Sequence, residues 1–461
     1  MKKIKTGIAR LDDILGGGIP ELSVNFIAGP PGSGKTVLAQ NMAFNLAREG
    51  MRTLYVTTLS ESQFKVVRNL SFFSFFDEGL LGERVLFRDI SEVLRLGGLS
   101  EALGAVDSAV REFRPHLLMI DSFKAMRDLC ERESEFRSFV FELATRLSVW
   151  EVTSFFLGEY ELEELSRLSE FAVADGILYL CGDREVHSRK RYLRIVKMRA
   201  SGHDLEEHVF RIGKRGIEVF PRLRPEASKL TRHSFKERKG FGIPWLDELC
   251  GGGLPEGTLT LLVGDSGVGK SLLGLKFLFE GALRGERGLF ISFEEPVSQL
   301  VANASSLGWD LRPFMRERLL RINFVSPIGL DLDIHGSWIL SFLQRERIER
   351  LFVDSLTVFE RNVSSAAKYK DFLWALSNLM KCVGTTAVFA VLSPGGMEGV
   401  VSGTGVSSLA DNIVLMRYRE AGGEVRKVLT VLKMRGSSHS RRLWWYDISP
   451  GDGLVSLGPA G

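Results

Sequence analysis

The stretch Gly264-Asp265-Ser266-Gly267-Val268-Gly269-Lys270-Ser271 lies between an apolar run, residues 259–263, and a segment with helical spacing. Strand, glycine-rich loop and helix in this order predict a phosphate-binding P-loop. The glycines lack Cβ atoms, so successive backbone N–H groups can turn inward toward an anion. Lys270 can reach β- and γ-phosphates, and the Ser271 hydroxyl can hold Mg²⁺. The stretch therefore predicts a nucleotide site.

A second loop of the same form lies 235 positions upstream, at residues 29–36, directly after the apolar run 24–28. Its Lys35 and Thr36 match Lys270 and Ser271. Two loops in register predict nucleotide binding much more specifically than a single match. The candidate nucleotide-binding residues are Gly29, Gly32, Ser33, Gly34, Lys35 and Thr36 in the first loop, and Gly264, Ser266, Gly267, Val268, Gly269, Lys270 and Ser271 in the second.

The repeat extends over the whole chain. Residues 7–21 contain Leu-Asp-Asp-Ile-Leu-Gly-Gly-Gly, and residues 242–256 contain Leu-Asp-Glu-Leu-Cys-Gly-Gly-Gly at the same offset. Each motif predicts a short helix ended by glycines, just before the strand of the P-loop. A further strand pattern follows each P-loop helix, which gives a βαβ unit and hence a parallel sheet. The chain is therefore predicted to be a full-length duplication.

Length and fold class follow from this repeat. The 461 residues suit two domains of ordinary size. We predict an α/β fold with a first domain at 1–224, a basic linker at 225–239 and a second domain at 240–461. The linker charge indicates either a nucleic-acid strip or a solvated connector, and the lack of interleaved aromatic residues favours the connector.

Composition limits the partners and the compartment. The chain has 60 Lys plus Arg against 57 Asp plus Glu, so it neither requires nor excludes nucleic acid. Its four cysteines lie far apart, which argues against a zinc ribbon or a disulfide framework and favours the reducing cytoplasm. No apolar run approaches the roughly 20 residues of a membrane span, so no membrane partner is expected.

Acidic residues end two apolar strand patterns. Asp121 follows residues 117–120, and Asp354 follows residues 351–353. This is the Walker B pattern, in which the carboxylate holds Mg²⁺ through bound water. The predicted magnesium-site residues are Thr36, Asp121, Ser271 and Asp354.

Carboxylates for the hydrolytic step are expected at the end of the strand after each P-loop helix. The second half has Glu294 and Glu295 there, near the expected γ-phosphate. The first half has Glu61 at the position of Glu295, but Ser60 at the position of Glu294. An acidic pair that complements a helix dipole is the alternative interpretation.

A basic pair occurs late in each half: Lys197 and Arg199, and Lys433 and Arg435. Alternation along a strand directs both members of a pair to one face. The pattern alone is equally typical of a solvated strand face.

Together the paired P-loops, the glycine motifs, Phe293-Glu294-Glu295, Asp354-Ser355 and Lys433-Met434-Arg435-Gly436-Ser437 resemble the KaiC family of double-domain, RecA-like ATPases. The resemblance covers nearly the whole chain. It implies two tandem RecA-like domains, ATP and Mg²⁺ as cofactors, and a homo-hexamer with ATP at the subunit interfaces. Catalytic roles would fall to Glu294, Glu295 and Glu61, with Lys433, Arg435, Lys197 and Arg199 reaching the neighbouring subunit's γ-phosphate.

The resemblance also implies autophosphorylation in the second domain. Ser407 and Ser408 fall on the family's phosphoacceptor motif, with Ser402 as a further hydroxyl, and the first half offers none at the matching positions. A helix cap or a polar loop is the alternative for these serines. Because Ser60 replaces a carboxylate, we expect the first loop chiefly to hold the ring, with slow hydrolysis, and the second to carry out phosphate chemistry.

Other functions remain open at this point. A RecA- or helicase-like DNA-dependent ATPase and an ATP-gated scaffold that presents a surface to a regulatory protein both fit a P-loop chain. The chain ends soon after Trp444-Trp445-Tyr446, so the long regulatory tail of clock proteins is not expected. The cluster Phe72, Phe73, Phe75 and Phe76 is expected in a core or a subunit interface.

Overall fold

A computed structural model describes residues 2–58, 63–130, 132–182, 190–223, 237–328, 330–361, 365–393 and 409–460. The chain divides into two compact units, which we call unit 1 (Met1–Pro221) and unit 2 (Arg222–Gly461). None of the helices in these ranges is long and apolar enough to cross a membrane.

Unit 1 alternates strands and helices. Its strands are β1 (Lys3–Ile4), β2 (Ile19–Pro20), β3 (Val24–Gly29), β4 (Thr53–Thr57), β5 (Val85–Asp89), β6 (Leu117–Asp121), β7 (Thr153–Glu159), β8 (Gly176–Gly182), β9 (Arg191–Met198), β10 (Glu207–Gly213) and β11 (Gly216–Phe220). Its α-helices are α1 (Leu11–Ile14), α2 (Lys35–Arg48), α3 (Gln63–Leu70), α4 (Ser91–Phe113), α5 (Phe123–Asp128) and α6 (Glu133–Trp150). Short 3₁₀ helices lie at Glu78–Leu80, Glu164–Ser166 and Ser169–Ala172.

Unit 2 repeats this plan. Its strands are β12 (Arg238–Lys239), β13 (Leu254–Pro255), β14 (Leu259–Gly264), β15 (Gly288–Ser292), β16 (Leu320–Phe324), β17 (Arg350–Asp354), β18 (Thr386–Leu392), β19 (Asn412–Ala421), β20 (Glu424–Met434), β21 (Trp444–Ser449) and β22 (Gly453–Pro459). Its helices are α7 (Pro244–Leu249), α8 (Lys270–Leu283), α9 (Val297–Ser306), α10 (Arg312–Arg316), α11 (Leu332–Glu346), α12 (Leu356–Arg361) and α13 (Ala366–Val383).

Each unit is built on a nine-stranded sheet with the same strand order. The order is β11-β10-β9-β8-β3-β7-β6-β4-β5 in unit 1 and β22-β21-β20-β19-β14-β18-β17-β15-β16 in unit 2. From the β5 edge to β8, and from the β16 edge to β19, neighbouring strands are parallel; the remaining strands form antiparallel hairpins. The predicted α/β fold with a mostly parallel sheet in each half is confirmed.

The P-loop strands lie inside the sheets and are buried on both faces. Every residue of β14 is buried. Leu262 packs in the core that contains α8, whereas Leu261 and Val263 pack in the core that contains α11 and α13. Because successive side chains point to opposite faces, this burial on both sides explains why the strand has apolar residues on both faces. The P-loops consequently begin at the carboxyl edges of well-packed sheets.

The end of the predicted linker is part of the fold of unit 2. The sequence predicts a solvated connector at Arg238 and Lys239, but these residues form β12, which pairs with β13. Lys239 is only 6% exposed, because its Nζ binds Glu286 Oε1 at 2.8 Å. Residues 225–236 of the predicted linker lie outside the described ranges.

The phenylalanine cluster belongs mainly to a small core. Phe75 is 3% exposed and packs with Phe44 of α2, and Phe73 and Phe76 lie against the same core. Phe72 is 61% exposed. Three of the four rings therefore have packing roles within unit 1.

Candidate nucleotide-binding sites

The unit 2 P-loop holds its lysine against its own backbone. Lys270 Nζ donates hydrogen bonds to the carbonyl oxygens of Gly264 at 2.9 Å and Asp265 at 2.6 Å. Burial lowers the pKa of Lys270, while the charges of Asp354 and Glu294 act in the opposite direction. Tyr446 of β21 donates to the Val268 carbonyl at 2.7 Å and anchors the loop. The lysine is thus already positioned at the mouth of the loop.

The unit 1 P-loop has the same geometry. Lys35 Nζ donates to the carbonyl oxygens of Gly29 and Pro30, both at 2.9 Å. Burial lowers the pKa of Lys35 as well, opposed by the charges of Glu159 and Asp121. A Cβ atom on Gly29 would overlap the Leu180 carbonyl, so this position of the loop accepts only glycine.

The Walker B carboxylates contact the P-loop hydroxyls. Ser271 Oγ donates to Asp354 Oδ2, and Thr36 Oγ1 donates to Asp121 Oδ2 at 2.8 Å. Burial raises the pKa of Asp354 to about 6, against the hydrogen bond from Ser271 and with a further contribution from Glu294. A hydroxyl beside a carboxylate at the edge of a P-loop is an oxygen donor set that fits Mg²⁺. The Asp121–Ser122 and Asp354–Ser355 peptide bonds are both cis.

Glu294 and Glu295 follow β15 and are each held by a different partner. Ser355 Oγ donates to Glu294 Oε1 at 2.9 Å, which fixes Glu294 beside the end of β17. Asn303 of α9 donates from Nδ2 to Glu295 Oε2 at 3.0 Å. Both carboxylates therefore lie at the carboxyl edge, near Asp354. In unit 1, Glu61 and Ser60 lie outside the described residues.

The basic pairs lie level with the amino ends of the parallel strands, whereas the P-loops follow the carboxyl ends. Met434, between Lys433 and Arg435, pairs with Asn412, which pairs with Thr260 near the start of β14. The P-loop begins four residues further along β14, roughly 13 Å away at the usual rise per residue. Lys197 and Arg199 have the same relation to the unit 1 P-loop, through Met198, Gly176 and Asn25.

The arginine of each pair extends into solvent. The Arg199 and Arg435 side chains are 60% and 68% exposed and lie 3.2 and 4.0 Å from Asp175 and Asp411, respectively. Lys433 instead donates to the Ala410 carbonyl at 2.6 Å. Burial lowers the pKa of Lys197 and of Lys433, and the arginine of each pair lowers it further.

The candidate phosphoacceptors Ser407 and Ser408, and Ser402, lie outside the described residues. The description resumes at Leu409, just before β19. Asp411 there accepts a hydrogen bond from the Leu259 N–H at 3.2 Å and forms an ion pair with Lys381 at 2.9 Å. Leu409 to Asp411 thus lead into the start of β19, which pairs with the end of β20 beside the basic pair.

Comparison with known proteins identifies the family. A family model described as "ATPase: KaiC" matches residues 4–224 and again residues 240–459. The chain belongs to the KaiC ATPase family. It is 31% identical, over 99% of its length, to the circadian clock oscillator protein KaiC of Picosynechococcus sp., 90% of which is covered. It is also 31% identical, over 97% of its length, to the circadian clock oscillator protein KaiC 1 of Synechocystis sp., 88% of which is covered.

Membership of the KaiC family confirms the resemblance seen in the sequence and the tandem RecA-like fold. It also makes this an ATP-binding chain with the ATPase chemistry of the family. The roles of individual residues remain predictions.

The two KaiC-type sites differ in groups that the sequence analysis did not single out. In unit 1, Tyr55 of β4 donates from its hydroxyl to Asp121 Oδ2 at 2.8 Å. The matching residue of β15 is Phe290, which has no hydroxyl. The signal was present in the repeat, since Tyr55 and Phe290 are separated by the 235-residue offset of the P-loops.

Glu159 is the second unit 1 difference. It ends β7 and pairs with Gly29 at the start of the P-loop, whereas Leu392 pairs with Gly264 in unit 2. Glu159 lines a cleft of about 710 Å³ together with Lys35, Thr36 and Asp121. Unit 1 therefore has a carboxylate beside its P-loop at a position where unit 2 has an apolar residue.

Proposed function

We propose that this chain is an ATP-hydrolysing protein that assembles into a ring, a hexamer, with each ATP held between two copies. The observation that carries the proposal is the place of the basic pairs at the sheet edge opposite their own P-loops. Arg199 and Arg435 cannot serve the nucleotide of their own unit across this distance. A ring with head-to-tail contacts brings each pair to the P-loop of the neighbouring copy.

In unit 2 the described residues suffice for hydrolysis once a neighbour contributes its basic pair. The P-loop N–H groups and Lys270 bind the β- and γ-phosphates. Ser271 and Asp354 would hold Mg²⁺, which neutralises phosphate charge when bound.

The two glutamates after β15 are proposed for the hydrolytic step. Glu295, fixed by Asn303, and Glu294, fixed by Ser355, orient the attacking water and accept its proton. Lys433 and Arg435 of the neighbour stabilise the charge on the transferred phosphoryl group.

In unit 1 the proposed role is chiefly to bind ATP and hold the ring, with slow hydrolysis. Lys35 would bind the phosphates, and Thr36 and Asp121 would hold the metal ion. Glu61 is the carboxylate proposed to orient the attacking water. Ser60 has no carboxylate, whereas Glu294 provides one at the matching position of unit 2. Glu159 lines the cleft at the end of β7, so we include it as a carboxylate that assists turnover in unit 1.

We further propose that unit 2 phosphorylates Ser407 or Ser408. The γ-phosphoryl group would pass to a serine hydroxyl, ADP would leave, and Glu294 or Glu295 would accept the hydroxyl proton. Support comes from the KaiC-like sequence around these serines and from their position directly before β19. Peptide mass spectrometry after incubation with Mg-ATP tests it, and label on neither serine would eliminate the kinase activity.

A mixing experiment tests the shared site. The Lys270→Ala chain keeps Arg435 but loses its P-loop lysine, and the Arg435→Ala chain has the opposite defect. Neither alone should show unit 2 turnover. Random equal mixing should restore about a quarter of the parental unit 2 rate, because a P-loop from one chain then meets a basic pair from the other. A mixture that stays at the rate of its components would contradict the shared site.

A further inference from the structure

The glycine motif before each P-loop packs on the segment that carries the basic pair of the same unit. Gly16 and Gly251 have φ angles of +70° and +69°. A Cβ atom on Gly16 would lie 2.6 Å from the Gly202 carbonyl oxygen, and one on Gly251 would lie 2.6 Å from that of Ser438. Gly202 and Ser438 belong to the turn that follows Arg199 or Arg435, so in both units the motif packs tightly on the turn after the basic pair.

In unit 2 an arginine joins the motif to this turn. Arg238 of β12 donates from one guanidinium nitrogen to the carbonyl oxygens of Cys250 at 3.0 Å and Gly253 at 2.9 Å. Its other terminal nitrogen donates to Ser437 Oγ, two residues after Arg435. Hydrogen bonds from a charged donor are stronger than neutral ones, and the planar fork of arginine fixes their direction.

In unit 1 a lysine makes the equivalent contacts. Lys3 of β1 donates from Nζ to the Gly16 carbonyl at 2.6 Å and to Ser201 Oγ at 2.8 Å. Ser201 in turn donates to the Leu15 carbonyl at 2.5 Å. Different cations in the two halves therefore reach the same two features, the glycine motif and the serine two residues after the exposed arginine.

The turn itself has one shape in both units. Ala200 and Gly436, directly after the arginines, have left-handed φ angles of 56° and 69°. This conformation costs a non-glycine residue about 1 kcal/mol or more, so at Ala200 it must be held by the surroundings. The backbone N–H of each arginine is also held. That of Arg199 donates to the Asp175 carbonyl at 2.8 Å, and that of Arg435 donates to the Asp411 carbonyl at 3.0 Å.

We propose that Lys3 and Arg238 are positioning residues that set the direction of Arg199 and Arg435 toward the neighbouring copy. The two arginine side chains are largely exposed, so their aim depends on the backbone of the turn. The contacts of Lys3 and Arg238 with Ser201 and Ser437 fix that backbone. The inference rests on the proposed role of the basic pairs at the neighbour's ATP.

The test replaces Arg238 in the full chain by a residue that cannot donate the hydrogen bonds of its guanidinium group. The unit 2 rate is the ATP turnover of a chain minus that of the Lys270→Ala chain. In Arg238→Met this rate should fall at least about five-fold, while the nucleotide dissociation constant and the size of the assembly remain as in the parent. Arg238→Lys, which installs the cation that unit 1 uses, should restore most of this rate. Arg284→Met removes an arginine from a surface ion pair of unit 2 and is the matched control.

Mixed assemblies separate positioning from general damage to unit 2. Arg238→Met chains mixed with Lys270→Ala chains should regain turnover, because intact P-loops then receive correctly held basic pairs. Mixing with Arg435→Ala chains should restore none. Parental turnover in Arg238→Met would overturn the inference. The inference would also be wrong if Lys270→Ala chains restored turnover to Arg435→Ala chains but not to Arg238→Met chains. If Arg435→Ala also fails to recover, the proposed shared site itself is wrong.

Discussion

Asp354 is a buried carboxylate that lowers the stability of unit 2 when it is ionised. The carboxylate is 5% exposed and close to two further carboxylates, so its pKa is raised to about 6. Between its ordinary pKa of about 4 and this value, the folded protein keeps a proton that the unfolded chain loses. Stability therefore falls as pH rises through this interval, and the loss is complete above about pH 6 to 7.

We predict that Asp354→Asn stabilises unit 2 in nucleotide-free, magnesium-free buffer by about 2 kcal/mol near pH 8, and that the gain shrinks as the pH falls toward 4. Urea unfolding followed by tryptophan fluorescence measures this, since six of the seven tryptophans lie in unit 2. The same variant should lose unit 2 turnover. A gain that does not change with pH would show that Asp354 is not a strained buried carboxylate.

Glu159 gives a second prediction for a single residue. Glu159→Gln in the Lys270→Ala background, where only unit 1 turns over ATP, should lower the hydrolysis rate about ten-fold, because a carboxylate near the phosphates is lost. ATP affinity should stay the same or rise, since a negative charge is removed. Glu161→Gln, two residues further along the chain, is the control. Unchanged hydrolysis in Glu159→Gln would leave Glu61 as the remaining carboxylate to test.

Among the elements of unit 2, β12, α8 and β17 are joined by a buried network of charged side chains and backbone carbonyls centred on Arg350. Arg350 at the start of β17 is fully buried and donates from Nε to Glu286, and from Nη1 to the carbonyl oxygens of Gly240 at 2.6 Å and Phe277 at 2.9 Å. Lys239 binds the same glutamate at 2.8 Å. Leu117 occupies the matching position of β6 in unit 1.

We predict that Glu286→Gln destabilises unit 2 by about 3 kcal/mol, because it leaves the buried Arg350 charge poorly compensated. Arg350→Leu, which copies the unit 1 residue, should recover part of this loss when combined with Glu286→Gln. Tryptophan-monitored urea unfolding of the two single variants and the double variant measures these losses. If the loss in the double variant equals the sum of the losses in the two single variants, the two side chains do not act as a pair.

The elements that could be predicted from the sequence are those with strong local signals. Burial on both faces makes β3 and β14 largely apolar, and the glycine loops mark the start of α2 and α8. The edge strand β5 was missed because Val85-Leu86-Phe87-Arg88-Asp89 has no clear alternation and follows a phenylalanine-rich turn. The hairpin β21–β22 was missed because it begins in a segment rich in aromatic and basic residues.

The candidate sites were only partly predictable for a different reason. The P-loop and Walker B residues belong to contiguous motifs, so their positions followed from the sequence. The contacts of Asn303 with Glu295 and of Tyr55 with Asp121 depend on strand register and helix placement, which no local pattern encodes. The position of Glu159 beside Gly29 likewise requires the pairing of β3 with β7.

At the scale of the whole molecule, one strand order supports two sites with different side chains. Unit 2 has two carboxylates after β15, whereas unit 1 has a tyrosine on its Walker B aspartate and a glutamate at the end of β7. We propose that the two sites divide the work: unit 1 binds ATP to hold the ring, and unit 2 carries out phosphate chemistry.

ATP hydrolysis by Lys35→Ala and Lys270→Ala chains, measured beside the parent together with phosphate incorporation and assembly size, tests this claim most directly. We predict that Lys270→Ala loses at least about four-fifths of the turnover and all phosphate incorporation but still assembles with ATP. Lys35→Ala should lose ATP-dependent assembly. Parental turnover in Lys270→Ala, or normal assembly in Lys35→Ala, would contradict the division between the two sites.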